Sequence, residues 1–378
     1  MTDFTPARLD AVELWRVALP LVKPFRTSFG TQTTRDILLV RVVTEAGEGW
    51  GECVAGDDPL YLSEWVGGAH DVLREFLVPR LAAAPGRRVA AHQVGHLLSA
   101  VKGHQMAKGA LELAVLDAEL RSQGVSLAHH LGAVRDRVPS GVSVSIYDTI
   151  PQLLATLDGY LAEGYVRIKL KIEPGRDIDV VRAAREHLGD DMPLQVDANT
   201  AYTRNDTRHL RRLDEFDLVL IEQPLAEDDI LGHAALARAL DTPICLDESI
   251  TSARVAADAI ALGACSIVNI KAGRVGGYLE ARRVHDVSAA HGVPVWCGGM
   301  LETGIGRAAN AALAALPNFT ITGDISASTR FWARDIITTP ITVVDGHVAV
   351  PTGPGLGVDI DREFLREVST QVETLDLT

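Results

Sequence analysis

The chain has 378 residues, 47% of them apolar, and a formal net charge of −14. Barrels of about 250 residues fold as one unit, so this length predicts a barrel plus a smaller domain. The acidic balance and the lack of a basic patch exclude nucleic-acid binding; no apolar run approaches the ~18 residues of a membrane span, the start lacks a signal peptide's apolar core, and a soluble, cytoplasmic protein is expected.

Residues 9–55 read as antiparallel β, with strands over 11–19 and 36–43 and a turn at 45–49. Between the two strands, Lys23-Pro-Phe-Arg-Thr-Ser-Phe-Gly reads as a loop. Its Phe25, Arg26 and Phe29 combine apolar contact with a fixed cation, which suits a lid over an anionic substrate. Residues 64–135 alternate helical patterns with Pro and Gly breaks; the clearest helix covers 107–121, apolar at 3- and 4-residue spacing, with Gly124 as its stop.

A different regime begins at Val138. Short apolar strands at 166–171, 194–197, 218–222, 244–247, 267–271, 295–297 and 319–323 alternate with helix-like stretches, and the run opening at Val138 makes an eighth. Repeated βα units imply parallel strands joined by crossover helices. Open sheet and closed barrel both fit that alternation. The even repeat and the polar residues at the C-terminal ends of the strands favour the barrel, and no Gly-x-Gly-x-x-Gly follows the first strand. After residue 335, Val343-Val-Asp-Gly-His-Val-Ala-Val reads as short strands returning to the N-terminal domain. The expected division is a capping domain over 1–135, completed by 336–378, and a barrel over 136–335.

Cys53, Cys245, Cys265 and Cys297 show no Cys-x-x-Cys spacing and are expected to be reduced core residues. His129-His130 ends a helix with no carboxylate nearby in sequence and reads as structural.

The chemistry concentrates at the strand ends. Asp197, Glu222 and Asp247 each follow a short apolar run, 25 residues apart; Lys171 precedes Asp197 by 26, and Lys271 follows Asp247 by 24. Three carboxylates converging on one point repel unless something positive sits among them. All-oxygen ligation favours a hard divalent cation, Mg²⁺ or Mn²⁺. Lys169 and Lys171 lie two apart on one strand and point the same way, so mutual repulsion is expected to lower the pKa of one, preferably Lys171, toward that of a base. Lys271 comes from the opposite side of the cluster. A substrate carboxylate beside the cation takes up charge as an enediolate when its α-proton leaves, and bases on both faces allow racemisation. With a β-hydroxyl present, dehydration can follow instead.

These residues resemble the enolase superfamily, whose Lys or His base with Mg²⁺ is a known example of pKa tuning. Within it, the muconate-lactonising subgroup and its N-succinylamino acid racemase / o-succinylbenzoate synthase family are most similar. The matching stretches include Pro24-Phe-Arg-Thr-Ser-Phe-Gly, Ile168-Lys-Leu-Lys-Ile, Val196-Asp-Ala-Asn, Ile221-Glu-Gln-Pro-Leu, Cys245-Leu-Asp-Glu-Ser, Asn269-Ile-Lys-Ala-Gly-Arg and Val295-Trp-Cys-Gly-Gly-Met. The resemblance implies an α/β fold, a modified TIM barrel (β/α)₇β with an N-terminal α+β capping domain. It also implies a small-molecule carboxylate substrate, a homo-oligomer, substrate contacts at Phe25, Arg26, Ser143, Asn199, Gly299 and Met300, and Glu248 beside the metal. Arg274 resembles the arginine of the racemase-capable branch, placed to tune Lys271. Two departures stand out. Leu116 replaces the usual Trp before Asp117, a packing change, and Thr322-Gly-Asp-Ile-Ser lacks the Asp-x-Asp of dipeptide epimerases. The alternatives are a muconate-type cycloisomerase, a dipeptide epimerase, and a non-catalytic barrel.

Overall fold

A computed structural model describes residues 6–28 and 30–378. Strands Ala7–Thr27 and Gly30–Thr44 form a long antiparallel hairpin, Gly47–Cys53 extends the sheet on one side, and Ser369–Asp376 on the other. The segment expected to be a loop is therefore the hairpin's far end: Phe25 pairs with Gln32, Arg26 with Thr31 and Thr27 with Gly30. Its Thr and Gln residues pair as readily as the apolar residues before them, so polarity does not mark the strand's end. Phe29 lies outside the described residues.

The helix expected over 107–121 spans Gln105–Gln123 and packs on this sheet. Gly49 and Gly51 let it come close, since a Cβ at either position would lie 2.2 Å from Ala114 O or 2.0 Å from Ala110 O. Leu116 is fully buried, as a packing residue should be. Asp117 beside it accepts from Trp50 N (2.9 Å) and Leu356 N (2.7 Å), tying sheet, helix and C-terminal segment together.

Seven parallel strands follow in sequence order: Val142–Val144, Ile168–Lys171, Leu194–Asp197, Ile221–Glu222, Ile244–Leu246, Ile267–Ile270 and Val295–Cys297. The curled sheet closes without a regular eighth strand. Only isolated bridges, Val295 to Phe319 and Ser140 to Gly323, span the gap, because the chain turns at Asn318–Thr320 before running alongside its neighbours. The first strand is also shorter than expected. Arg137–Pro139 instead pairs with His347–Ala349, which pairs with Val343–Val344, so this hairpin joins the chain leading into the barrel and not the capping sheet. Pro139, lacking an N–H, could not continue a barrel ladder inward. Helices Ile150–Ala162, Ile178–Leu188, Ile230–Ala237, Ala253–Ala261, Tyr278–Ala290 and Gly304–Ala314 cover the outside; the third crossover holds only the short helix Thr207–Leu210 between 3₁₀ turns.

Alternation along each strand sorts the side chains. Ile168, Leu170, Leu194, Val196, Val268 and Ile270 join the large core that includes the helices. Leu220, Cys245, Ile267 and Trp296 form a separate buried cluster, the barrel's interior floor. All four cysteines are free and buried, in line with the core role expected.

Candidate active site

Because Lys169, Lys171, Asp197, Glu222, Asp247, Asn269 and Lys271 stand at alternate positions from the floor residues, they point into the barrel's mouth. Lys171 pairs across the sheet with Asp197, and Asp197 with Glu222. Lys169 is the most enclosed of the three lysines. Its Nζ lies 2.6 Å from Asp324, 3.1 Å from Glu222 and 3.3 Å from Asp197, and 4.7 Å above the Trp296 ring. Burial alone would lower its pKa, but Asp324, Glu222 and Asp197 outweigh that and raise it. Repulsion from Lys171 therefore does not govern Lys169, whose charge is offset by Asp324 and Glu222 as well as by the Asp197 oxygen that it shares with Lys171.

Lys171 Nζ donates to Asp197 Oδ2 and to Asn199 Oδ1, both at 2.6 Å. Asn199 in turn donates to Glu248 Oε1 at 3.0 Å. Across the mouth, Lys271 Nζ donates to Asp247 Oδ2 (2.7 Å) and to the Tyr61 hydroxyl (3.0 Å), and lies 4.5 Å from the Tyr61 ring centroid. Arg274 is buried and ion-pairs with the other oxygen of Asp247, so it reaches Lys271 through that shared carboxylate. Burial would lower the pKa of Lys271, yet Tyr61, Glu222 and Glu248 raise it. The turn carrying Asp247 is held by Gln223, whose Oε1 accepts from Asp247 N at 3.0 Å and Ser249 N at 3.2 Å. Gln223 (φ 39°), Asn199 (φ 41°), Thr200 (φ 64°) and Leu301 (φ 57°) all adopt left-handed backbone, a concentration of strain at the strand ends that accords with a functional site.

Among the described residues, no three His, Cys, Asp or Glu side chains stand together as a ready-made metal cage. The carboxylates turn toward lysines instead. Even so, the donor set suits a hard cation. Glu248 Oε2 and Asn269 Oδ1 are buried without a partner. Burial and then Asp197 push Glu222 up, and the same two causes bring Glu248 to about 7. Carboxyls held above their ordinary range by desolvation and by one another are what a divalent ion would relieve.

A cavity of about 330 Å³ opens over this cluster, within the size of small-molecule sites. Phe25, Ser143, Lys169, Lys171, Asn199 and Lys271 line it, as do Gly299 and Met300. Arg26 does not. Strand alternation turns it away from Phe25, and its guanidinium pairs with Asp148 (2.9 Å) and Glu173 (3.7 Å). His129 and His130 lie in the short helix Leu127–Leu131 and do not line the cavity. Several lining residues escaped sequence reasoning: Tyr61, Arg35, Arg307, Arg330 and Asp324. Asn269, which donates to Glu222 Oε1 at 2.7 Å, was findable, since it lies two positions before Lys271 on the same strand. Tyr61 carried no such signal, coming from a capping loop of no regular pattern.

Residues 152–364 match the family described as Enolase C-terminal domain-like, and residues 11–132 the Mandelate racemase / muconate lactonizing enzyme, N-terminal domain. An N-succinylamino acid racemase from Amycolatopsis sp. is 67% identical over 96% of this chain and 98% of its own. An o-succinylbenzoate synthase from Geobacillus kaustophilus is 48% identical over 94% of each chain. Among solved structures, an enolase-superfamily member from Listeria innocua superposes with a TM-score of 0.94 at 39% identity, covering 98% of this chain and 100% of that one.

Proposed function

The chain belongs to the enolase superfamily, in its muconate-lactonising subgroup, and is an enzyme of it; from that premise we propose a divalent-metal-dependent N-acylamino acid racemase acting on N-succinylamino acids, with dehydration to o-succinylbenzoate as a second outcome. The observation that carries this reading is the placement of Lys171 and Lys271 on opposite walls of one cavity, with the carboxylate cluster between them. A cation of the Mg²⁺ or Mn²⁺ kind, held by Asp197, Glu222 and Asp247, would supply positive charge beside the substrate carboxylate and so acidify the adjacent C–H.

The chain's own residues then divide the work. One lysine, as free amine, takes the α-proton from its face of the substrate. The other, as ammonium, returns a proton to the opposite face, so the two exchange protonation states in each inversion. Lys169, sealed above Trp296 and held protonated by three carboxylates, contributes fixed positive charge to the enediolate without leaving its place. Asn199 and Tyr61 orient the two bases, one on each wall. With a β-hydroxyl on the substrate, the α-proton passes to one lysine and the hydroxyl then leaves the neighbouring β-carbon, taking up a proton as it departs, so that a Cα–Cβ double bond and one water are formed.

The dipeptide epimerase alternative finds less support. Asp324 is committed to Lys169 and Arg167, so its carboxylate is not available for a substrate ammonium. The test is direct. One enantiomer of N-succinyl-phenylalanine, incubated with the protein and Mn²⁺, should lose its optical rotation; constant rotation in the presence of folded protein would overturn the racemase reading.

A further inference from the structure

The turn that carries Asp247 hangs from Gln223, and Gln223 is itself held from a residue that the proposed chemistry leaves unused. His233, in helix Ile230–Ala237, is 0% exposed. A buried imidazole is costly unless both ring nitrogens are bonded, and here both are. Nδ1 lies 2.8 Å from Asp229 O, and Leu225 N donates to Nε2 at 3.2 Å. A carbonyl oxygen only accepts and a backbone N–H only donates, so the ring is neutral, with its hydrogen on Nδ1. Burial lowers its pKa and favours that form, against the pull of Asp229. Asp229 faces the ring from the start of the same helix, and its carboxylate is taken by Gly232 N and by Arg204 of the preceding crossover.

The Leu225 peptide is gripped on its other side as well. Gln223 Nε2 donates to Leu225 O at 3.2 Å and to Ser249 Oγ at 2.8 Å, while its Oε1 accepts from Asp247 N and Ser249 N. Both polar atoms of this buried side chain are spent, and the amide has one orientation, because reversing it would turn its NH₂ against two N–H donors. A chain of hydrogen bonds thus runs from the outer helix, through Leu225 and Gln223, to the backbone of the residue whose carboxylate receives Lys271. The Lys171 wall meets Gln223 only at its main chain, where the carbonyl accepts from Thr200 N at 2.8 Å. That main chain is fixed independently, by the bond from Gln223 N to Cys245 O at 2.9 Å.

We propose that His233 is a positioning residue for one of the two bases: it fixes the Leu225 peptide, which aims the Gln223 amide, which sets the Asp247 carboxylate against Lys271. This rests on the racemase reading, which makes Lys271 the base of one substrate face. The effect of His233 is therefore one-sided, falling on the face that Lys271 serves and sparing the face that Lys171 serves.

Two substitutions in the full-length protein separate the ring's nitrogens. In His233→Asn the side-chain amide stands in for Nδ1 and keeps the bond to Asp229 O, but nothing reaches Leu225 N. In His233→Gln the longer side chain brings an oxygen to where Nε2 stood, and the bond from Leu225 is kept. Each enantiomer of N-succinyl-phenylalanine is incubated with Mn²⁺ in D₂O, and loss of its α-proton signal is followed by NMR. In His233→Asn, the enantiomer that Lys271→Ala fails to exchange should slow about tenfold in kcat with KM nearly unchanged, the worth of one buried hydrogen bond. The other enantiomer should exchange at nearly the wild-type rate, and His233→Gln should recover most of the loss. Equal slowing of both enantiomers, or Asn and Gln variants that behave alike, overturns the proposal. Hydrogen exchange of the Leu225, Asp247 and Ser249 amides needs no substrate, and it should be faster in His233→Asn than in wild type or His233→Gln. If wild type exchanges neither enantiomer, the racemase reading fails; faster exchange at the Asp247 amide in His233→Asn then still supports the positioning chain, and unchanged exchange overturns it. If His233→Asn does not fold, the ring nitrogen-15 signals of wild type decide: a bare Nε2 supports the chain, and a protonated Nε2 overturns it.

Discussion

The two walls that carry Lys171 and Lys271 do the same job in the proposed reaction but are built differently. Among the described residues, Lys171 Nζ bonds only to Asp197 and Asn199. The chain beyond it is fastened to the capping hairpin through Arg26, paired with exposed Asp148 and with Glu173. Lys271 is packed under Tyr61 and shares Asp247 with buried Arg274. Its wall is fastened to the cap by Glu112, which accepts from Leu279 N at 3.1 Å near the start of helix Tyr278–Ala290. One wall is thus tied by solvent-screened charges and the other by buried hydrogen bonds. Two chemically equivalent bases do not require equivalent surroundings; they require only that each be aimed at its own face of the substrate.

Five substitutions test how deep that difference runs. Replacing either lysine by alanine should have the largest effect, reducing racemisation at least ~10³-fold, in the range of a lost general base. Proton NMR in D₂O would still detect α-proton exchange at the face served by the remaining lysine. Racemisation at normal rates in both Lys171→Ala and Lys271→Ala would break the two-base assignment.

Next comes Glu112→Gln, which acts on stability through the Lys271 wall. Burial pushes the Glu112 carboxyl from 4.5 up to about 8, against the hydrogen bonds from Leu279 and Tyr278. Its folded pKa exceeds the unfolded value, so the folded state holds the extra proton, and stability falls as pH rises from about 4.5 to about 8. The slope contributed is on the order of 1 kcal/mol per pH unit. Urea midpoints at pH 5 and pH 8 should differ less in Glu112→Gln than in wild type. Part of the slope should persist, because burial likewise brings Glu52 to about 7 where it accepts from Thr303 and Gly306 at the start of helix Gly304–Ala314. Identical slopes in variant and wild type would remove Glu112 from the account.

Tyr61→Phe sharpens the comparison further, because it removes one hydroxyl from the Lys271 wall and nothing from the other. A loss of about tenfold in racemisation is expected, the worth of roughly one hydrogen bond. Exchange at the Lys271 face should slow more than exchange at the Lys171 face; equal slowing would show that Tyr61 does not act through Lys271. Arg26→Ala should matter least. Its partly exposed ion pairs are worth ~0–1 kcal/mol, less at high salt, and thermal melting with and without about 0.5 M NaCl, where the Debye length falls to roughly 4 Å, should resolve only a small shift. A large loss of activity would instead return Arg26 to the site.

Some of this organisation was legible in the chain before any fold was known. The spacing of 24 to 26 residues from Lys171 through Asp197, Glu222 and Asp247 to Lys271 marks the βα repeat. The two-residue step from Lys169 to Lys171 puts both inside, and the structure shows both lining the cavity. Arg26 shows the limit. Phe25 and Arg26 are neighbours, and only the pairing of the hairpin decides which one faces the cavity. The eighth strand shows another, since Phe319–Gly323 has the right composition but meets its neighbours through bridges only.

By itself, the sequence determined the repeat, the strand ends that carry charge, and the parity that turns alternate residues inward. These are local properties, set by the 3.6- and 2-residue periods of helix and strand. Only the tertiary structure decided what converges from far along the chain: Tyr61 on Lys271, Asp324 on Lys169, and Arg330 beside Ser143. Those partners are separated by 210, 155 and 187 residues, and no local period links them. They meet because closing the barrel and docking the cap bury the same apolar surfaces, and the polar groups left at the mouth are gathered by that closure.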